Sequence, residues 1–154
     1  LNKGYNITAL SRKNVNIGGI NFIKGDINNY DDVLKAMKNC SIVFHLAALT
    51  PYDLINGNRE LAFNTYLQGS LNVLNAFRNS NANTFIYSSS GKVYGNKNKV
   101  PFKESMITIP TVYMGQLKKQ VENLIKLFSN NVVPDKRMVA RYIRKFSFAY
   151  FILN

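Results

Sequence analysis

The sequence predicts a doubly wound α/β fold, in which helices cover both sides of a parallel sheet. Short apolar runs alternate along the chain with longer segments whose apolar residues recur at helical spacing. The short runs are apolar throughout rather than at every second residue, which is typical of strands buried on both faces. Buried strands that alternate with helices form parallel sheets.

These patterns predict four strands and three helices. The predicted strands are residues 6–10, 20–23, 41–46 and 84–87, and the predicted helices are residues 30–39, 60–78 and 114–128. Asn28 and Asn29 precede the first helix as candidate caps. We therefore expect one domain over residues 1–128, followed by a basic and apolar tail, residues 129–154, that has no assignment.

The chain carries a strong excess of positive charge. Twenty Lys and Arg against eight Asp and Glu give a net charge of +12 at pH 7. The densest basic stretch lies near the end, at Lys136, Arg137, Arg141, Arg144 and Lys145. Such a charge suits nucleic acid or an anionic membrane, but the sequence has no known nucleic-acid recognition motif and no apolar run long enough to cross a membrane. A phosphate-bearing ligand or a Lys- and Asn-rich composition explains the charge as well.

The single cysteine and the first residues bear on the cellular compartment. Cys40 excludes an internal disulfide and favours a reducing compartment such as the cytoplasm. It lies at the end of a predicted helix, where we expect a buried structural thiol rather than a nucleophile. Leu1 to Tyr5 has neither an initiator Met nor the zones of a secretory signal, so it resembles the middle of a protein.

Small and polar residues follow each predicted strand. They are Ser11, Arg12 and Lys13, then Gly25, Asp26 and Ile27, then Ala47 and Ala48, and finally Ser88, Ser89 and Ser90. Ligands of doubly wound sheets bind at the carboxyl ends of the strands. Small residues let a ligand approach the backbone, and Asp and Ser supply polar anchors. The sequence therefore predicts a nucleotide site at this edge.

Four motifs occur in order along the chain. They are GDI at 25–27, VFHLAA at 43–48, Asn64 with GSLNVL at 69–74, and SSSGKVYG at 88–95. Their order and spacing resemble the extended short-chain dehydrogenase/reductase family, the NAD(P)-dependent epimerases and dehydratases. The resemblance covers residues 1–128. It implies a Rossmann-like domain that binds NAD or NADP, a nucleotide sugar or related carbonyl compound as substrate, and a homodimeric full-length protein. It also implies that the fold's first strand and Gly-rich phosphate loop are absent before Leu1, so the domain is incomplete.

The resemblance implies several cofactor contacts. Asp26 and Ile27 would contact the adenine, although Asp26 could equally be a turn residue that caps the next helix. Ala47 and Ala48 would lie close to the phosphates and ribose, although plain packing at the strand end explains either one alone. Asn64 would support the loops around the nicotinamide, and without the family it is only a helix-surface amide.

Other residues of the same edge concern the choice of cofactor. Ser11 and Arg12 stand where NAD-specific relatives carry an acidic residue, and an Arg there accommodates the 2′-phosphate of NADP, so NADP is favoured over NAD. Ser88 and Lys118 complete the implied cofactor contacts.

His45 lies inside an apolar strand, where we expect a hydrogen-bonded core histidine rather than a catalytic one.

The resemblance implies a catalytic serine, tyrosine and lysine, but the tyrosine is displaced. Ser90 has the serine's place, with a polar strand cap as the alternative. The family pattern YGxSK overlays residues 114–118, which puts Met114 at the tyrosine position and matches Gly115 and Lys118. Tyr113 precedes it, and Lys118 then lies about 140° around an ideal helix from Tyr113. Tyr113 and Lys118 are predicted as the acid/base couple, which requires irregular backbone at Tyr113.

Several alternatives remain open. Met114 also suits a degenerate site, a sequence error, or a non-catalytic NADP-binding relative that serves as a sensor or scaffold. The positive charge keeps a nucleic-acid binder as a third hypothesis. Residues 137–154 fit a basic amphipathic helix, an apolar strand or aberrant translated sequence. No metal site is predicted.

Overall fold

The computed structural model describes residues 4–13, 17–49, 57–96, 100–131, 136–141 and 152–153. Its strands are β1 (Ile7–Ser11), β2 (Ile20–Lys24), β3 (Ile42–His45), β4 (Thr84–Ser88), β5 (Arg137–Arg141) and β6 (Ile152–Leu153). Its α-helices are α1 (Tyr30–Ala36), α2 (Arg59–Phe63), α3 (Gly69–Arg78) and α4 (Tyr113–Asn131). The four predicted strands and three predicted helices are all present, with small shifts at their ends.

The strands of the described residues form one sheet in the order β2-β1-β6-β3-β4-β5. β1 pairs parallel with β2, and β4 pairs parallel with both β3 and β5. This confirms the predicted α/β class and parallel pairing. Arg137–Arg141 is thus a strand beside β4, so the strand alternative describes this part of the tail.

β6 departs from the parallel pattern. It runs antiparallel between β1 and β3, where Ile152 and Leu153 pair with Thr8 and Ile7 on one side and with Val43 and Ile42 on the other. β1 and β3 would otherwise leave facing rows of unpaired backbone groups. The two residues of β6 pair only with residues in the amino-terminal halves of β1 and β3.

One apolar core joins the sheet to the helices. Val43 of β3 and Phe85 of β4 point into it and are fully buried, as are Val33 of α1, Leu74 of α3 and Val121 of α4. Burial alternates along β3 and β4, so the opposite face of these strands is only half-buried. The sequence predicted helices on both faces, whereas α1, α3 and α4 share this one core among the described residues.

Two residues near the ends of α1 have the roles that the sequence suggested. Asn29 caps α1, because its side-chain oxygen accepts from the backbone N–H groups of Asp31 and Asp32. Cys40 is 2% exposed, its thiol donates to the Ala36 carbonyl, and burial raises the thiol pKa to about 11. The prediction of a buried structural thiol is confirmed.

The predicted long helix 60–78 contains a π-helical turn, Asn64–Gln68, between α2 and α3. There the backbone N–H of Gly69 donates to the Asn64 carbonyl, five residues back. The Ser70 hydroxyl donates to the Tyr66 carbonyl in the same stretch. Such side-chain bonds compete with the regular ladder, and π-turns inside α-helices are frequent at functional sites.

Candidate functional site

The residues predicted to form the site lie at one edge of the sheet. β1, β2, β3 and β4 all run in the same direction, since β1 and β3 are both antiparallel to β6. Their carboxyl ends therefore lie together, followed by Ser11, Asp26, Ala47 and Ser88. The edge that the sequence singled out for a ligand is thus assembled by the fold.

Asp26 uses one carboxylate oxygen for the local turn. Its Oδ1 accepts from the backbone N–H of Asn28 at 2.9 Å, while its own N–H donates to Asp32 Oδ2 at 3.0 Å. The helix cap itself is Asn29 rather than Asp26. Asp26 is therefore a turn residue through Oδ1, and this role leaves its cofactor contact as a prediction.

Ile27 is held by two residues of α3 for which the sequence analysis gave no role. Asn72 Nδ2 donates to the Ile27 carbonyl at 2.9 Å. A Cβ at Gly69 would lie 2.5 Å from Ile27 Cδ1, so a larger residue there would require the Ile27 side chain to shift. Both residues belong to the GSLNVL motif, but their target lies more than forty positions away. Periodicity along the chain does not reveal it.

The end of β1 is polar and basic. The Ser11 hydroxyl accepts from the backbone N–H of Lys13 at 3.2 Å, and Ser11 pairs in register with Lys24 of β2. Arg12 is exposed beside them. Three cationic side chains therefore surround the end of β1, with no acid among residues 11–13.

Ala47 lies two residues beyond the end of β3, beside a small apolar cavity. It is 7% exposed, and Ala48 is half-buried. The cavity lies between β1 and β3, with Leu10, Ile27 and Ala47 in its wall. Ala47 and Ala48 place small side chains at this part of the sheet edge, and the ligand atoms that they face stay a prediction.

His45 is a core residue, as expected. It is 4% exposed, and its Nε2 lies 2.8 Å from the Ser70 hydroxyl. Because that hydroxyl donates to the Tyr66 carbonyl, it accepts from His45, and the neutral ring carries its proton on Nε2. Burial, with a smaller contribution from the charge of Lys118, lowers the pKa of His45 to about 3.

Asn64 begins the π-turn with an exposed side chain. Its backbone carbonyl accepts from Gly69 and so forms the wide turn. The predicted support of the nicotinamide loops by its amide stays a prediction.

Lys118 is the most deeply buried charged side chain described at this edge. It is 5% exposed, and its Nζ donates to the Ser88 carbonyl at 2.6 Å. The ammonium also lies over two aromatic rings, 4.6 Å from the centroid of Tyr87 and 5.3 Å from that of Tyr66. Burial lowers the pKa of Lys118 to about 8, against an opposing effect of the Glu122 carboxylate. A buried ammonium with a shifted pKa is characteristic of functional sites.

Ser90 follows β4 in extended backbone, with φ −148° and ψ 147°. Its hydroxyl oxygen accepts from the backbone N–H of Lys92 at 3.2 Å and caps the short 3₁₀-helix Gly91–Tyr94. Ser90 therefore caps this 3₁₀-helix through its acceptor side, and not the strand as the alternative supposed. Ser90 also lines two cavities, of about 260 and 780 Å³, so it lies where a ligand can enter.

The two members of the predicted acid/base couple have different partners. α4 begins at Tyr113, so the irregular backbone that the couple requires is not present. The Tyr113 hydroxyl donates to the Arg59 carbonyl at 3.2 Å, and the Arg59 guanidinium lies 5.5 Å from the ring centroid. Lys118 instead binds the Ser88 carbonyl. Met114, at the tyrosine position of the motif, packs against a small core of Leu49, Ala62, Tyr66 and Leu117.

Two further residues of α4 shape the site. Glu122 Oε1 accepts from the Ser89 hydroxyl at 2.5 Å, and its Oε2 lies 3.4 Å from Lys119 Nζ. A Cβ at Gly115 would lie 2.6 Å from the Lys92 carbonyl oxygen, so glycine permits the close contact between α4 and the 3₁₀-helix. Gly115 was visible as a motif match, whereas the Ser89 partner of Glu122 was not.

Metal binding and membrane spanning are two further possibilities for the residues that the structure describes. Within those ranges, no three His, Cys, Asp or Glu side chains cluster closely enough to hold a metal ion. No helix among them has the length and apolar character needed to cross a membrane.

The chain is similar to proteins of known family. Over 145 residues it is 30% identical to the bifunctional protein GAL10 of Pachysolen tannophilus, and the alignment covers 88% of this chain and 20% of that protein. Over 92 residues it is 34% identical to the CDP-paratose 2-epimerase of Salmonella typhi, covering 58% of this chain and 27% of that protein. The chain thus spans less than a third of the length of these curated relatives.

Solved structures show the same similarity. MoeE5 in complex with UDP-glucuronic acid and NAD superposes with a TM-score of 0.78 at 25% identity, over 90% of this chain and 46% of that one. The UDP-N-acetylglucosamine 4-epimerase of Methanobrevibacter ruminantium M1, in complex with UDP-N-acetylmuramic acid, superposes with a TM-score of 0.74 at 27% identity, over 86% of this chain and 45% of that one. Residues 1–120 match the sequence model of the NAD dependent epimerase/dehydratase family. The chain therefore belongs to the NAD dependent epimerase/dehydratase family.

Proposed function

We propose that this chain binds NAD or NADP at the carboxyl edge of its sheet. In the whole protein we propose an epimerase, dehydratase or reductase that acts on a nucleotide sugar or a related carbonyl compound. The observation that carries the proposal is Lys118, a buried ammonium bound to the Ser88 carbonyl at the end of β4. Structures similar to this chain contain NAD together with UDP-glucuronic acid or UDP-glucose, which supports the same ligand classes here.

The residues present fit a dinucleotide. The edge offers an apolar cavity beside Ala47, a carboxylate at Asp26 with one oxygen outside the local turn, and cationic side chains at Arg12 and Lys118. The cavity beside Ala47 is only about 30 Å³, so these side chains mark an edge against which a ligand would lie rather than an enclosed cleft. Asp26 and Ile27 would hold the adenine, and Lys118 with Ser88 would hold the nicotinamide end.

When bound, the nicotinamide would exchange a hydride with a sugar or carbonyl carbon. This chain's residues would handle the substrate oxygen and its proton. Ser90 would orient that oxygen from the wall of the 780 Å³ cavity. Tyr113 would exchange the proton after leaving the Arg59 carbonyl, a 3.2 Å bond of ordinary strength. Lys118 would be the cationic partner of this tyrosine, which requires both side chains to leave their present carbonyl partners.

We further propose that NADP is preferred over NAD. Arg12 is exposed beside Lys13 and Lys24 at the end of β1, and a guanidinium matches a 2′-phosphate through paired, charge-assisted hydrogen bonds. Arg12→Ala should weaken NADPH binding about tenfold and leave NADH binding unchanged. Lys38→Ala, at an exposed lysine near the opposite edge, serves as the control. Equal losses for both cofactors would contradict the preference.

A second candidate is a non-catalytic member that binds the cofactor as a sensor or scaffold. Two observations favour it: Met114 packs into a small core at the tyrosine position, and the Tyr113 hydroxyl is bound to Arg59. Tyr113→Phe separates the two candidates. A catalyst that uses Tyr113 should lose most of its turnover with a nucleotide sugar, whereas cofactor affinity should not change in either case.

The first test is a fluorescence titration of the whole protein, with the segments that precede and follow this chain restored, with NADPH and NADH. Lys118→Met should abolish binding, whereas Lys126→Met, at an exposed lysine on the same helix, should not. Failure of the unmodified protein to bind either cofactor would overturn both candidates. Salt-dependent binding of an oligonucleotide instead would favour a nucleic-acid binder. We also propose a reducing compartment, in keeping with the single buried thiol of Cys40.

A further inference from the structure

Two side chains of α4 hold the segment that follows β4. Lys118 Nζ donates to the Ser88 carbonyl at 2.6 Å, and the Ser89 hydroxyl donates to Glu122 Oε1 at 2.5 Å. Positions 118 and 122 are one helical turn apart and so project on one side of the helix. Two consecutive residues of the strand end are therefore attached to two consecutive turns of the helix, and Ser90 is the next residue.

Both oxygens of Glu122 are used. Oε2 lies 3.4 Å from Lys119 Nζ, and the Glu122 side chain is only 19% exposed. A carboxylate is purely an acceptor, so the Ser89 hydroxyl is fixed as the donor. Charge-assisted bonds of this kind are shorter and stronger than neutral ones. Glu122 is thus held on one oxygen by its own helix and holds the serine segment with the other.

We propose that Glu122 is a positioning residue, which fixes Ser90 relative to Lys118 by holding Ser89. This inference rests on the proposed function in one respect, namely that Ser90 orients the substrate. Within the described residues, Ser90 makes no hydrogen bond to α4, and its hydroxyl accepts only from the backbone N–H of Lys92. Its position is set through Ser89 on one side and the 3₁₀-helix on the other.

The same carboxylate acts on the Lys118 charge. Tyr87 of β4, Tyr66 of the π-turn and His45 of β3 face Lys118, and the neutral rings of the first two lie within 5.3 Å of its Nζ. Glu122 adds a negative charge to these neutral neighbours, and this charge opposes the lowering of the Lys118 pKa by burial. Removing its charge should therefore move the Lys118 titration to lower pH.

Three variants of the full chain separate position from charge. Glu122→Ala and Ser89→Ala both remove the bond, whereas Glu122→Gln keeps an oxygen for Ser89 and removes only the charge. Amide hydrogen exchange at Lys92 and Val93 reports the position of the segment, and the NMR titration of the Lys118 ammonium reports the charge. These two readouts require neither cofactor nor turnover.

We expect Glu122→Ala and Ser89→Ala to speed exchange at Lys92 and Val93 at least tenfold, and the double variant to do no more than either one. Glu122→Gln should leave exchange unchanged and lower the pH at which Lys118 titrates. Where the protein turns over substrate, the alanine variants should lower kcat and leave the cofactor affinity within about threefold.

Several results would overturn the inference. They are unchanged exchange in both alanine variants, additive effects in the double variant, or a kcat equal to that of the unmodified protein. An unmodified protein without any turnover would instead contradict the proposed function, and the exchange measurement would still decide the role of Glu122. Lys126→Ala, on an exposed part of α4, provides the control.

Discussion

Acidification from pH 7 to pH 5 should destabilise this protein through His45. The imidazole is buried between β3 and α3, with its Nε2 proton committed to the Ser70 hydroxyl and Lys118 nearby. A second proton would put a positive charge into this apolar site, beside another positive charge. The native state therefore disfavours the imidazolium, while the unfolded chain accepts it freely.

The magnitude follows from the difference between the two pKa values. The His45 pKa is lowered from 6.5 to about 3 on folding, so the unfolded chain binds the proton at the higher pH. The contribution to stability is complete above pH 6.5 and is lost as the pH falls towards 3. Between pH 7 and pH 5 the free energy of unfolding should fall by about 2 kcal/mol from this residue alone.

The assay is urea unfolding at both pH values, followed by circular dichroism because the chain has no tryptophan. His45→Gln keeps an N–H donor for Ser70 but does not titrate, so it serves as the matched control. The variant reports the acid sensitivity of all other groups. The unmodified protein should lose about 2 kcal/mol more than the variant between the two pH values.

His45 is the single histidine of the chain, so its NMR titration needs no assignment. The reasoning fails if the native imidazole titrates near pH 6.5. It also fails if the unmodified protein and His45→Gln lose the same free energy on acidification. Either result would mean that the His45 pKa does not fall on folding.

Three further predictions concern packing, a buried charge and a helix end. Gly69→Ala should lower the free energy of unfolding by about 1–3 kcal/mol, because its Cβ would meet Ile27 Cδ1 at 2.5 Å; in an Ile27→Ala background the same change should cost nothing further, and an equal cost would contradict the clash. Lys118 titrates at about 8 when folded and near 10.5 when unfolded, so its contribution should rise by about 2–3 kcal/mol between pH 8 and 10.5. The difference in urea stability between the protein and Lys118→Met measures this rise, and a difference that is flat with pH would refute it. Lys136 Nζ lies 2.8 Å from each of two carbonyls at the end of α3, so Lys136→Met should lower the thermal midpoint by removing about 1–2 kcal/mol, whereas Lys126→Met should not.

Local patterns predicted the elements well because burial repeats along the chain. The strand predicted at 84–87 is Thr84–Ser88, and the helix predicted at 114–128 is Tyr113–Asn131. The pattern did not predict the π-turn Asn64–Gln68, since apolar residues four positions apart in this stretch also fit a regular α-helix. Nor did it predict β6, whose place is decided by the edges of two distant strands.

The edge that carries the candidate site could also be predicted, because parallel strands bring their carboxyl ends to one edge. Ser88 ends one such strand, Ala47 and Asp26 follow two others, and the fold assembles that edge. The partners of these residues could not be predicted in the same way. The resemblance implied that Tyr113 and Lys118 form a couple, yet the Tyr113 hydroxyl lies on the Arg59 carbonyl, fifty-four positions away.

The α/β class, the family resemblance and the edge proposed for a ligand all follow from the sequence, because they depend on periodicity and on short motifs. The groups that meet across the chain are known only from the folded structure. Asn72 reaches Ile27, Ser89 reaches Glu122, and Lys118 is enclosed by aromatic rings. Such contacts depend on how helices pack against the sheet. That packing lowers the pKa of Lys118 and brings Ser88 and Ser89 into hydrogen bonds with α4.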